Sequence, residues 1–363
     1  MIKRKVVPWI GFLTVLLLWS TEGFAISENE NHELPAEEEF QPGEFIMEHI
    51  GDAYEWHILT YKDFHLSIPL PVILYSKYSG FHVFMSARFG HGHNTWKGFR
   101  ISQEEPHRGK IVEGLGNGTV VKPLDLSITK NVLAVFVSVI VLLWLFIAVA
   151  KKYERTRGKA PTGFQNMIET VILFIRDDVA RPSIGERHYE RFMPYLLTLF
   201  FFILANNLMG LIPVFPFGAN VTGNIAVTGI LAFFTLMVTT LSGNRHYWKD
   251  IFNAPGVPWW LKVPIPMMPV IELFGMLTKP LVLMVRLFAN ITAGHIIAMG
   301  FFSLIFIFGS MDPALGWAVS PLTVVFTIFM GILEILVAFI QAYVFTLLSA
   351  LYFGMATAEQ HGT

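Results

Sequence analysis

From Phe192 to Thr363 the chain places only ten Asp, Glu, Lys and Arg among 172 residues. The other 43 of its 53 charged residues lie in the first 191. No soluble globule is built that way, because a solvated surface needs charge throughout. The pattern calls for a polar N-terminal part followed by a part that lives in lipid. The net charge of −1 gives no basic excess, which argues against a nucleic-acid partner. The absence of cysteine excludes a disulfide framework, a thiolate metal site and a cysteine nucleophile.

Residues 1–25 read as a signal peptide. Lys3, Arg4 and Lys5 form a basic start, Val6 to Trp19 an apolar stretch, and Gly23, Phe24 and Ala25 a small-residue cleavage site. Residues 26–125 form an acidic stretch of fifteen acidic against eight basic residues. Its run Glu37-Glu38-Glu39 reads as a solvated segment. Eight of the twelve histidines fall here, including His91 and His93 around Gly92. Without a carboxylate at ligand spacing they read as surface histidines, and no metal site is expected. Alternation from His65 to Tyr75 predicts short strands and a small β-rich domain. Asn117-Gly118-Thr119 matches a glycosylation acceptor, a short motif of little weight alone.

Residues 126–358 carry the apolar segments. The first, Ile128 to Ala150, ends on Lys151, Lys152, Arg155, Arg157 and Lys159, a strong positive-inside mark. Residues 163–180 repeat apolar positions at helical spacing and predict an amphipathic helix lying at the interface. Further spans are expected from Phe192 to Val214, Ile225 to Leu241, Pro266 to Phe308 and Val319 to Tyr352. Arg245, Lys249 and Lys262 mark the same side as 151–159. The expected fold class is therefore an all-α polytopic membrane protein with five transmembrane helices, the last two long and tilted. The small N-terminal domain is outside and the short tail, 359–363, inside. Loops are expected at Phe215 to Gly223 and at Gly309 to Gly316.

A charge at membrane depth costs several kcal/mol, so each one is a functional hypothesis. Glu272, Lys279 and Arg286 are spaced seven apart, nearly two helical turns, and share one face. Asn290 lies one turn beyond Arg286, and His295 a further turn away. The last segment carries Glu334 and Gln341, again seven apart, and the second carries Asn206 and Asn207. Glu272 near its helix end could reach water, Lys279 could snorkel, and the two asparagines could be interhelical hydrogen-bond glue. Arg286 has none of these exits. It sits inside an apolar run and cannot shed its proton. Its partner is Glu334, a water-filled cavity, or a carboxylate on another protein.

The run Lys279-Pro-Leu-Val-Leu-Met-Val-Arg286-Leu-Phe-Ala-Asn290-Ile-Thr-Ala-Gly294-His295 resembles the signature of subunit a of F-type ATP synthases. The run from Glu334 through Gln341 to Tyr352 is similar to a second motif of that family, and Asn207 to Pro213 to a third. The resemblance implies a stator subunit beside a ring of c subunits with buried carboxylates, and a peripheral stalk with subunit b. It also implies two offset aqueous half-channels, the bacterial inner membrane, and protons as the translocated ion. Arg286 matches the essential arginine between the half-channels. Glu334, Gln341, Asn290 and His295 match polar residues that line them. Two departures stand out: His295 and Glu334 look exchanged relative to many bacterial members, and Gly210 stands where some members carry an acid. The exchange predicts that the two act as a coupled pair. No catalytic residue or cofactor is implied. A secondary transporter is the alternative, although no internal repeat supports it. An intramembrane hydrolase would need a nucleophile–base pair, a metal motif or paired acids, and none is present.

Overall fold

The computed structural model describes residues 42–61, 64–92, 94–104, 106–115, 119–156, 159–212, 215–252 and 267–358. The signal peptide, Glu37-Glu38-Glu39, His93, the asparagine of the glycosylation motif and the tail 359–363 lie outside them. Two compact units divide the chain.

The first unit holds the strands, within residues 52–133. Strands β1 (Glu55–Tyr61) and β2 (Phe64–Pro69) form an antiparallel hairpin. Strand β3 (Pro71–Ser76) pairs with β4 (Gly80–Met85), and later with β8 (Leu124–Asp125). A third sheet joins β5 (Phe99–Ile101), β6 (Ile111–Gly114) and β7 (Val120–Val121). Alternation sends Val72, Leu74 and Phe84 inward, where they meet Tyr54, Phe89, Phe99 and Ile111. This is the short-stranded unit that the sequence alternation called for.

The second unit combines one N-terminal helix with the membrane helices. Helix α1 (Pro42–Ile50) packs against the fourth span rather than joining the strands. Five helices are long and apolar enough to cross a membrane. They are α2 (Lys130–Arg155), α5 (Tyr189–Gly210), α6 (Ile225–Ser242), α8 (Met267–Met311) and α9 (Pro313–Thr357). Between α2 and α5, α3 (Phe164–Phe174) runs through a π-helical turn into the short α4 (Arg181–Ile184). This is the amphipathic stretch: Ile168, Ile175, Val179 and Ile184 are buried, while Asp177 sits in ion pairs with Arg176 and Arg181 on the exposed side. The arginine hydrogen bonds hold the Asp177 carboxyl below its usual value. Helix α7 (Arg245–Phe252) follows α6.

Helices α8 and α9 contain 45 residues each, about 68 Å at 1.5 Å per residue. That is more than twice the apolar thickness of about 30 Å, so neither can stand upright with its whole length in hydrocarbon. Only Asp312 separates them, and its carboxylate caps α9 by accepting from the Ala314 amide at 2.8 Å. The loop expected at Gly309 to Gly316 is thus helix on both sides of one residue. The helices run to the turn itself, which pairs backbone groups that an irregular link would leave open. Glycine permits it: a Cβ on Gly316 would lie 2.8 Å from the Gly309 Cα.

The core lies where α5, α9 and the α3–α4 segment meet. The buried face of α9 carries small residues every four positions, Ala338, Ala342, Thr346 and Ala350, which allow close helix approach. Hydroxyls inside the spans turn back onto their own backbone: Ser303 donates to Met299, Thr346 to Ala342 and Ser349 to Phe345, each at 2.8 Å. By contrast, α8 and the part of α9 before Val337 leave many apolar side chains exposed, among them Leu281, Val285, Ile332 and Leu336.

Candidate functional site

Asn207, Asn290, His295 and Glu334, four residues from three helices, line one cavity of about 150 Å³. Gly294, Leu211, Met330 and Ala338 complete its wall. A cavity of that volume holds several water molecules, provided polar partners are present, and here they are.

The hairpin turn at Asp312 sets the register. His295 lies 17 residues before it on α8 and Glu334 22 after it on α9, so the two return to similar depth. Contact follows from Gly294: a Cβ there would stand 2.6 Å from Glu334 Oε1, so the carboxylate occupies the space a side chain would take. Glu334 Oε1 is buried and has no hydrogen-bond partner among the described residues. A buried carboxylate oxygen without a donor is costly unless water or a proton serves it. Opposite, Gly210 on α5 faces His295, with a virtual Cβ 3.9 Å from Nε2. An acid at 210 would therefore stand beside His295. In this chain Glu334, from another helix, supplies a carboxylate to the cavity that His295 lines.

Asn207 lines the cavity and also ties helices together. Its Nδ2 donates to the Ala338 carbonyl of α9 at 3.3 Å, and its Oδ1 accepts from the Thr222 hydroxyl at 2.6 Å. The interhelical glue expected of this residue is present. Asn206 instead donates to Phe202 on its own helix, at 2.8 Å. Thr222 was not legible in the sequence, since it sits in a loop without periodicity and its partner is fifteen residues away.

Arg286 lies outside the cavity. Its side chain is exposed on α8, between exposed Val285 and buried Leu287, and it makes no ion pair with a carboxylate among the described residues. Of the three partners the sequence left open, Glu334 does not pair with it here. Asn290, one turn along the same helix, reaches the cavity wall. Gln341, two turns along α9 from Glu334, is buried and does not line the cavity.

Lys279 belongs to a different place. Its Nζ lies 5.7 Å from the Tyr352 ring centre and 4.0 Å from Met355 Sδ, at the edge of a cavity of about 20 Å³ that also touches Thr235, Thr239 and Tyr247. Tyr195 and Thr235 share a hydrogen bond of 3.0 Å nearby. Glu272, two turns before Lys279, is half-buried. No group of three or more His, Asp or Glu able to hold a metal occurs among the described residues.

Five membrane-length helices with a polar cavity lined from three of them, and beside it an arginine with no carboxylate partner among the described residues, define a polytopic membrane protein with an intramembrane polar site. The ATP synthase A chain family matches residues 132–354, and the chain belongs to that family. A separate domain of unknown function matches residues 45–126. ATP synthase subunit a of Chloroherpeton thalassium is 45% identical over 246 residues, 66% of this chain and 69% of that one. ATP synthase subunit a 2 of Prosthecochloris aestuarii is 43% identical over 66% of this chain and 72% of its own. ATP synthase subunit a of an Anaeromyxobacter species is 34% identical over 331 residues, 88% of this chain and 71% of its own.

Proposed function

We propose that the chain is the proton-conducting stator subunit of an ATP synthase Fo sector in a bacterial plasma membrane. Its partners are a ring of c subunits with buried carboxylates and the peripheral-stalk subunit b. Residues 26–125 form the periplasmic part, 126–358 the membrane domain, and the C-terminal tail is cytoplasmic. The subunit has no active site of its own and couples proton flow to ring rotation and so to ATP synthesis.

One observation carries this reading: Arg286 is exposed on an uncovered apolar helix face, one turn from a cavity that holds Asn290, His295 and Glu334. A permanent cation in such a place is stable only against an anion supplied from outside the chain. A ring carboxylate meets that need each time one passes in its ionised form. Arg286 stabilises the deprotonated carboxylate and repels protons, which keeps the two half-channels from short-circuiting. The cavity is one half-channel. His295 and Glu334 share it as a relay, one imidazole and one acid. Glu272, Lys279 and the small cavity beside Tyr352 belong to the other end of α8 and serve the opposite half-channel. Gln341 belongs to the same polar path as a buried residue of α9, two turns from Glu334, and Asn207 holds the cavity wall in place.

The test is ATP-driven proton pumping in membrane vesicles. Arg286→Ala should abolish pumping while hydrolysis by the catalytic head persists. Arg286→Lys should not restore it, because a lysine is a hydrated point charge that can deprotonate when buried. Near-normal pumping in Arg286→Ala would remove the proposal.

A further inference from the structure

The unit of residues 52–133 has an unusual sheet. In β3, Val72 and Leu74 point into its core, while Pro71, Ile73 and Tyr75 point out. In β4, Phe84 points in, while Phe81, Val83 and Met85 point out. The register sets Tyr75 opposite Phe81, Ile73 opposite Val83 and Pro71 opposite Met85. On the other side of β3, Leu124 pairs with Tyr75, and the Leu126 amide donates to the Ile73 carbonyl at 2.9 Å. The outer face therefore reads Leu124–Tyr75–Phe81 in one row and Leu126–Ile73–Val83 in the next, with no charged side chain. Tyr75, Phe81, Val83, Met85, Leu124 and Leu126 are each 45–64% exposed. An antiparallel sheet with one face on a core ordinarily turns polar residues to water. A contiguous apolar patch of this size marks an interaction surface.

We propose that this face is a lipid-binding surface, seated in the interfacial layer of the bilayer that the spans cross. The first argument is continuity. Strand β8 runs through Ser127, Ile128 and Thr129 into the first span, which begins at Lys130, four residues past Leu126. These connecting residues are bonded to the unit rather than free. Ser127 Oγ accepts from the Ile73 amide at 3.0 Å, the Ile128 amide donates to Pro71 at 3.0 Å, and the Lys130 amide donates to Ala53 at 2.9 Å. Asp52 then caps the span itself by accepting from the Asn131 amide at 3.1 Å. Four residues reach at most about 14 Å even if released, so Leu126, at the near row of the patch, stays within that distance of the start of the first span.

The second argument is composition. Tyr75, with Tyr78 in the β3–β4 turn, offers rings with polar tips, the side chains favoured at headgroup depth. Exposed Lys77 in the same turn and exposed Lys122, two residues before Leu124, put positive charge at the rim of the patch. Anionic headgroups complement that charge. Asp125, the acid on β8, is half-buried and accepts from the Tyr54 hydroxyl. The inference rests on the chain crossing the membrane and is independent of what the polar cavity conducts.

The chain has no cysteine, so an introduced one is unique within it. Val83→Cys and Phe81→Cys, with Lys110→Cys as an exposed control in the β5–β6 turn, are labelled with an environment-sensitive fluorophore. The full chain is then placed in phosphatidylcholine–phosphatidylglycerol vesicles containing lipids brominated close to the headgroup, and measured alone and again within its complete membrane complex. The expected result is blue-shifted emission at 81 and 83, quenched severalfold more than at 110, in both preparations. Equal, water-like emission at all three sites would overturn the proposal. Lipid quenching at 81 and 83 that disappears in the complete complex would also overturn it, assigning the face to a protein neighbour instead. Since pumping is not the readout, failure here is distinct from failure of the proton-path reading.

Discussion

Gly294→Ala isolates the position of one carboxylate. The added methyl carbon would stand 2.6 Å from Glu334 Oε1, 3.2 Å from its Cγ and 3.3 Å from its Cδ. Ordinary contact begins near 3.4 Å, so the carboxylate must move by close to 1 Å. It has somewhere to go, because the cavity of about 150 Å³ lies beside it. The stability cost is therefore small, about 1 kcal/mol for a displaced rotamer. It is offset by about 1 kcal/mol of helix propensity gained when alanine replaces glycine. Assembly should be preserved. The proton path should not be, because misplacement by 1 Å of a group that must meet its partner costs up to about 100-fold in rate.

The assay is proton flux through the reconstituted complex at matched subunit content, with Gly300→Ala as the comparison. Gly300 lies on the same helix and has no atom within 4 Å of its virtual Cβ. Flux should fall tenfold or more in Gly294→Ala, by the same positional argument, and stay unchanged in Gly300→Ala. Equal flux in the two variants would refute the idea that the carboxylate's exact seat beside Gly294 matters.

Three further outcomes follow from the geometry. If His295 and Glu334 form one relay, His295→Glu and Glu334→His should each lose flux, and the double exchange should recover part of it; strictly additive losses would mean that they act separately. Gly354→Ala would put a methyl 1.9 Å from the Ser183 carbonyl oxygen, a backbone atom that cannot swing away. Overpacking of this kind costs about 3 kcal/mol or more, so thermal unfolding in detergent should come markedly earlier than in Gly331→Ala, whose site is open. Burial first, then the hydrogen bond to Asp125, hold the Tyr54 hydroxyl above its ordinary value of 10.0. The folded unit thus favours protonated Tyr54, and that contribution is complete below pH 10 and lost as pH rises above it. Protease resistance of residues 52–133 should fall on that alkaline limb, and Tyr54→Phe should flatten it.

What could be read from the sequence was whatever lipid makes expensive. Charge is so costly in hydrocarbon that a charge-poor tract reveals its spans, and Arg286 and Glu334 stand out within them because each violates the surrounding composition. The spans accordingly fall within a few residues of their expected ends. What stayed hidden was of three kinds. The Gly309 to Gly316 segment has loop composition, yet folds as helix on both sides of Asp312, because the Asp312 cap and the close approach of Gly309 and Gly316 close the hairpin without a loop. Gly294 contributes by lacking a side chain, and no local pattern marks a position whose role is to leave room for a residue forty positions away. Helix α1 lies in an acidic, polar tract and pairs with α8 more than two hundred residues later, a contact that only tertiary structure selects.

The one-residue link at Asp312 explains how so apolar a pair of helices can hold a polar site in register. Lipid tails are as apolar as the helix surfaces, so little in the sequences of α8 and α9 opposes one sliding along the other. A long loop would leave that freedom intact. Here the turn allows none: Asp312 caps α9 immediately, and the backbones touch at Gly309 and Gly316. From that fixed point His295 is about 26 Å along one helix and Glu334 about 33 Å along the other. The second fixed point is Asn207, whose bonds to Ala338 and Thr222 clamp α9 to α5 four residues past Glu334. With α9 pinned on both sides of Glu334, the carboxylate is held at one depth, beside Gly294 of α8. The relay proposed for Glu334 and His295 depends on that constancy, because an acid displaced by one helical turn would leave the cavity that both residues line.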